Sequence, residues 1–222
     1  AGSSGAILVG GQVIVGRIRG VERPPMAPLI PTAKGVSILV DSGANVDSRP
    51  SFLVQWAKMG SIYMENIMGI KNPKVAIVNV GLEEEKGNQL VKETYPLLKA
   101  CKDINFIGSI EARNIPNGDA DVIVCDAFVG NVILKLYEGT AKMLLSKVKT
   151  TLMSSLKTKI GALLIKNSPL IGLNGLVVKT HGNAKAMEVK NSLLQCVKFQ
   201  REKVNEKIIA SISAEKLDEA EA

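Results

Sequence analysis

The sequence predicts an α/β domain built on a largely parallel sheet with flanking helices. Three observations carry that expectation. Short apolar segments alternate with helix-length segments along the whole chain. Continuous apolar runs of strand length suit strands covered on both faces, the usual condition of a parallel sheet. Polar and glycine-rich segments fall repeatedly just after these runs, at the edge where an open α/β sheet carries its ligand crevice.

In order along the chain, Gly2 to Arg19 reads as a glycine-rich loop opening an apolar helix, followed by a proline-rich crossing from Pro24 to Pro31. Val36 to Val40 is a short apolar strand that ends in Asp41-Ser42-Gly43-Ala44-Asn45. Arg49-Pro50-Ser51 opens a helix through about Asn66, with proline at a position that spares its missing N–H. Lys74 to Val80 is a buried-type strand leading into the polar loop Gly81 to Asn88. A helix from about Gln89 to Cys101, a strand from Asn105 to Ile110 and a strand from Ala120 to Cys125 follow. Helical stretches fill roughly 132–166, a last strand covers Leu176 to Lys179, and one helix runs from about Ala184 to Ile212.

Composition narrows the function classes. The chain has 222 residues, 46% hydrophobic and 22% charged, enough to bury a core without disulfides and too apolar for a disordered chain. No apolar run approaches the roughly 18–20 residues of a membrane span. Cys101, Cys125 and Cys196 are an odd count without a CxxC, which points to a reducing, cytoplasmic setting. One histidine, His181, leaves little room for histidine-based metal sites or triads. The net charge of +7 suits an anionic partner, but basic residues are dispersed and aromatics scattered, so nucleic acid is excluded as the expected one.

Four segments have the chemistry of a site. Gly2-Ser3-Ser4-Gly5 places small residues and free amides at a helix start, suited to phosphate, or is simply a flexible start. Lys86, preceded by Glu83, Glu84 and Glu85, is either part of a solvated charge run at a helix start or a positive charge offered to a phosphate or oxyanion. Asn131, after Gly130, caps the next helix or donates to a reacting carbonyl. Asp41, Asn45, Glu83, Asp126 and His181 are further crevice candidates, while Cys125 reads as a small buried hydrophobe.

Taken together, these segments resemble the PlsX family of phosphate acyltransferases. The matching pieces are AGSSGAILVGGQVIVGRIRGVERPPMAP, DSGANVD with RPSFLVQWAKMGSIY, NPKVAIVNVG, EEEKGNQLVKETY, NFIGSIEARNI, ADVIVCDAFVGNVILKLYEG and LIGLNGLVVKTHG, in the family's order over most of residues 1–183. The family's usual AGNTGA is here AGSSGA: Ser4 keeps a hydroxyl where threonine is usual, and Ser3 lacks the usual amide. Ala127 stands where the family usually has glycine, and its methyl would be strained if that position needed positive φ.

The resemblance implies transfer of a fatty acyl group from acyl carrier protein to inorganic phosphate, giving acyl phosphate for phospholipid synthesis. The nucleophile is then the substrate, so no serine, cysteine or histidine nucleophile, no cofactor and no metal is expected. It implies Lys86 and Asn131 as the catalytic pair, phosphate binding at Gly2, Ser3, Ser4 and Gly5, and a fold like that of the isocitrate and isopropylmalate dehydrogenases, here without its N-terminal portion. Residues 1–222 are expected to form a single, partial α/β domain, from which the basic amphipathic stretch 142–166 projects. A homodimer, acyl carrier protein and an anionic membrane surface are the implied partners, which makes the protein cytoplasmic and peripherally membrane-associated. The alternatives are a nucleotide-dependent dehydrogenase, against which stands the lack of a GxGxxG between strand and helix, and a non-catalytic module docking on membrane or carrier protein. Family members are longer, so the chain is expected to be a subset of a longer polypeptide. A loop is expected to be missing between Lys166 and Asn167, whose Cα atoms would then stand farther apart than the usual 3.8 Å.

Overall fold

Five strands make the central sheet: β1 (Leu29–Thr32), β2 (Gly35–Val40), β3 (Lys74–Asn79), β4 (Asn105–Glu111) and β5 (Val122–Val124), in the spatial order β1-β2-β5-β3-β4. β2, β5, β3 and β4 run parallel, and β1 pairs antiparallel with β2 at one edge. The computed structural model describes residues 2–147 and 167–221.

The sheet is covered on both faces, as its continuous apolar strands require. Ile38, Val40, Val75, Ile77, Val122 and Val124 meet Trp56, Met59 and Tyr63 of α2 (Pro50–Tyr63) and Leu98 of α3 (Gln89–Ala100). On the opposite face, Leu39, Ala76 and Ile123 meet Ile133 and Leu134 of α4 (Ala127–Lys147). Burying each large side chain contributes roughly 1.5–3 kcal/mol. The helices therefore fix where each strand ends, and the strand ends fix where the polar loops emerge. Arg49 is extended and Pro50 opens α2, as its sequence requires.

Several elements depart from the sequence reading. The proline-rich crossing holds strand β1, where Pro31 is tolerated because β1 is an edge strand needing hydrogen bonds on one side only. The last strand is β7 (Val177–Thr180), paired antiparallel with β6 (Asn167–Leu170) in a separate two-stranded sheet. The single C-terminal helix is two, α5 (Ala186–Arg201) and α6 (Val204–Glu221), broken where Lys203 takes φ +50°. The break turns Val204, Ile208 and Ile212 into the core that α2 covers, so tertiary packing overrides helix propensity there.

Helix α4 begins at Ala127, not near residue 132. Ala127 is buried within the helix and has no positive φ, so its methyl group costs no backbone strain. At the far end, Met143 and Leu144 are exposed. Most of the basic stretch 142–166, from residue 148 onward, lies outside the described residues, and with it the junction between Lys166 and Asn167.

Candidate active site

The parallel strands end side by side, and a cleft of about 530 Å³ opens at their carboxyl ends. Leu53, Ile77, Leu90, Val91 and Val129 line it with apolar surface, while Asn79, Asn88, Glu111, Arg113 and Asp126 bring polar groups. Glu111 and Arg113 are paired to each other at 2.7 Å.

Lys86 sits in the loop after β3, one residue before the cleft-lining Gly87. α3 begins only at Gln89, with Asn88 as its cap (Oδ1 to Val91 N, 2.9 Å), so the acidic run is a loop and not a first helical turn. Glu83 Oε1 holds Lys86 Nζ at 2.9 Å, and Glu84 pairs with Lys99 of α3 at 2.6 Å. The hydrogen bond and then the charge of Glu83 push the Lys86 ammonium above its ordinary value, with smaller contributions from Glu85 and Glu111. Lys86 is thus a charged ammonium, half-exposed beside the cleft and paired with the equally exposed Glu83 carboxylate.

Asp126 follows β5 and caps α4: its Oδ1 accepts from Val129 N at 2.9 Å. Asn131 is consequently an exposed residue within the helix and does not cap it, and its side chain has no hydrogen-bond partner among the described residues. The structure thus sets Lys86 and Asn131 on loops and helix starts that follow neighbouring strands, β3 and β5, beside the cleft wall rather than in it.

Asp41 and Asn45 are buried and internally occupied. The Asp41 carboxylate accepts from Met26 N, Gly43 N and Ala44 N on one oxygen, and from Asn45 N and Nδ2 on the other, at 2.8–3.1 Å. Burial pushes its carboxyl above the ordinary value, and these donors oppose that shift. Asn45 also donates to Pro24 O, and its own carbonyl receives Ala127 N at 3.0 Å. The loop after β2 is therefore the seat of α4, not a free donor set. Cys125 is buried against Asp41 O, and desolvation pushes its thiol well above its usual value, which keeps it protonated and unsuited to nucleophilic attack.

Ser3 caps the short helix α1 (Ser4–Gly10), accepting from Ala6 N at 3.5 Å, with Gly2 at φ +128°. Gly2, Ser3 and Gly5 are exposed, and none of Gly2–Gly5 lines the cleft. His181 follows β7 of the separate sheet, is exposed, and has Nδ1 against Asn183 Oδ1. Sequence reasoning missed Asn79, Ser109, Glu111 and Arg113. The signal for Asn79 was present: it is a lone amide ending the otherwise apolar run Val75-Ala76-Ile77-Val78.

The family described as fatty acid synthesis protein matches residues 1–207. The chain belongs to that family. A phosphate acyltransferase from Alkaliphilus oremlandii is 48% identical over 239 aligned positions, covering 100% of this chain and 70% of the relative. Those positions outnumber the 222 residues of the chain, so that relative carries residues inside the matched stretch that this chain lacks. A phosphate acyltransferase from Clostridioides difficile is 46% identical over 230 residues, covering 96% of this chain and 67% of the relative. Family membership makes the chain an acyltransferase. Among solved structures, a phosphotransacetylase from Streptococcus pyogenes aligns with a TM-score of 0.62 at 16% identity, over 92% of this chain and 61% of that one. EutD phosphotransacetylase from Staphylococcus aureus gives 0.61 at 16% identity, over 85% and 57%. This likeness places the fold of the fatty acid synthesis family chain among α/β proteins of that kind.

Proposed function

We propose that this chain transfers a fatty acyl group from acyl carrier protein to inorganic phosphate, releasing the carrier thiol and acyl phosphate. The observation that carries the reading is 48% identity along the whole chain to a phosphate acyltransferase. The cleft is compatible with it: apolar wall for an alkyl chain, a charged lysine beside it, and two residues beyond the lining Val129 the Asn131 amide, which has no partner among the described residues.

In this reading a phosphate oxygen attacks the thioester carbonyl carbon, the carbonyl becomes an oxyanion, and its collapse breaks the C–S bond. The protein supplies position and charge, not a nucleophile. Lys86 exchanges Glu83 for the phosphate and offsets its charge. Asn131 donates a hydrogen bond to the carbonyl or phosphate oxygen. Gly2, Ser3, Ser4 and Gly5 offer backbone amides to phosphate, and Ser4 adds a hydroxyl. Asp41, Asn45 and Asp126 hold the loops in register, and His181 remains a peripheral crevice candidate.

The finer assignments belong to the same reading: a single α/β domain akin to the isocitrate and isopropylmalate dehydrogenase fold, a homodimer, and a cytoplasmic protein touching anionic membrane through the basic stretch 142–166. Among the described residues no helix is long and apolar enough to cross a membrane.

Purified full-length protein should consume acyl carrier protein thioester only when phosphate is present. Lys86→Ala and Asn131→Ala should each lose on the order of 10²–10³ in rate while staying folded. Wild-type turnover in either variant removes that residue from the mechanism.

A further inference from the structure

We infer that Asn79 is the positioning residue that holds Lys86 at the cleft; the inference rests on the catalytic reading of Lys86 above. Asn79 is the last residue of β3 and is buried. Its Nδ2 donates to the Lys86 carbonyl oxygen at 3.1 Å and to Ser109 Oγ at 3.1 Å, and its Oδ1 accepts from Val80 N at 2.8 Å. One amide therefore ties the first and seventh residues of the loop after β3 to each other and to the neighbouring strand β4. The Lys86 side chain is half-exposed, and its backbone N–H reaches only Glu83 O at 3.2 Å within the same loop, so the bond from Asn79 to its carbonyl is the contact that ties its origin to the sheet.

Two further features make the contact possible. Between the pairs Val75–Phe106 and Ile77–Ser109, β4 carries one residue more than β3. Such a bulge shifts the alternation of β4, so that Ser109 lies on the same face as Asn79, whereas Ile110 joins the core on the opposite face. Next to Lys86, Gly87 has φ +108°, and a Cβ there would lie 2.6 Å from Asn79 Oδ1 and 3.0 Å from Val91. Glycine lets the loop backbone lie directly on the amide. A buried polar group with both protons and its oxygen engaged is rigid, and rigidity at this point is transmitted to the lysine.

Asn79→Asp and Gly87→Ala attack the same contact from opposite sides. Aspartate keeps the acceptor for Val80 N and lets the Ser109 hydroxyl turn to donate, but opposes the Lys86 carbonyl with a carboxylate oxygen. Gly87→Ala leaves Asn79 intact and lifts the loop. In the full-length protein, both variants should speed amide hydrogen exchange in residues 80–88 while thermal unfolding stays cooperative. Both should lower kcat about 10²-fold with little change in KM for the carrier thioester. Combining either with Lys86→Ala should slow turnover no further than Lys86→Ala alone, a non-additivity that a merely structural residue would not produce. Unchanged exchange in residues 80–88, or wild-type kcat in both variants beside an inactive Lys86→Ala, overturns the inference. Full activity in Lys86→Ala instead sinks the catalytic reading of that lysine, and the exchange rates still decide whether Asn79 holds the loop.

Discussion

At Gly130 a Cβ would lie 1.8 Å from the Asp41 carbonyl oxygen and 3.1 Å from Cys125 Sγ. The nearest obstacle is backbone, which no rotamer change relieves. Gly130→Ala should therefore lose about 3 kcal/mol or more in urea unfolding, at the upper end of overpacking costs, because α4 must lift off its seat. A change within about 0.5 kcal/mol, the range of an ordinary surface substitution, would show that the seat yields. The pair of Glu83 and Lys86 gives a second residue-scale test. Its hydrogen bond holds the Glu83 carboxyl below its usual 4.5 and the Lys86 ammonium above its usual 10.5. The pairing is thus fully formed between those values. It is lost as pH falls through the depressed glutamate value, and again as pH rises through the raised lysine value. Glu83→Gln should return the Lys86 titration, followed by NMR of the side-chain ammonium, toward 10.5. An unmoved midpoint would mean that Glu83 does not govern the lysine charge. Lys86 was legible in the sequence as a charge at a strand end, and its neighbours were not. Asn79 and Ser109 meet across a bulge that no one-dimensional pattern encodes.

At the scale of elements, most strands and helices follow from apolar runs and their flanks, because β2, β3 and β5 are buried on both faces and read accordingly. The misread elements are those fixed by tertiary partners. β1 depends on its antiparallel partner β2 to make a strand of a proline-containing segment, and β6 depends on β7, the last strand that the sequence did show. Asn131 was open to reading as a cap because nothing local shows that Asp126 starts the helix earlier. The joint between α5 and α6 has neither glycine nor proline; Lys203 takes a left-handed conformation there, and Asn205 then anchors α6 to Leu173 O at 3.0 Å. Left-handed φ costs a non-glycine residue roughly 1–2 kcal/mol, and glycine returns part of that as backbone entropy. Lys203→Gly should therefore stabilise the protein by up to about 1 kcal/mol in urea unfolding. Destabilisation would mean that the exposed lysine side chain contributes more than its backbone costs.

For the whole molecule, the parallel order β2-β5-β3-β4 brings loops that are distant in sequence to one edge. That convergence was expected from the alternation of elements, whereas the shape of the cleft was not. Its wall draws on Leu53 of α2, Val91 of α3 and Val129 of α4, three helices whose packing angles leave no trace in local sequence. The function rests on family membership, and the geometry adds which groups are free to act. Asp41 and Asn45 are spent on structure, Cys125 is a buried thiol, and Lys86 and Asn131 remain accessible beside the cleft. Under the proposed function phosphate itself is the nucleophile. Phosphorus NMR of full-length protein supplied with acyl carrier protein thioester and 18O-labelled phosphate tests this directly. Acyl phosphate should appear in step with free carrier thiol, with labelled oxygen in the acyl–phosphate bridge and no thiol release when phosphate is withheld. Thiol release at the same rate without phosphate, or free fatty acid in place of acyl phosphate, would contradict it.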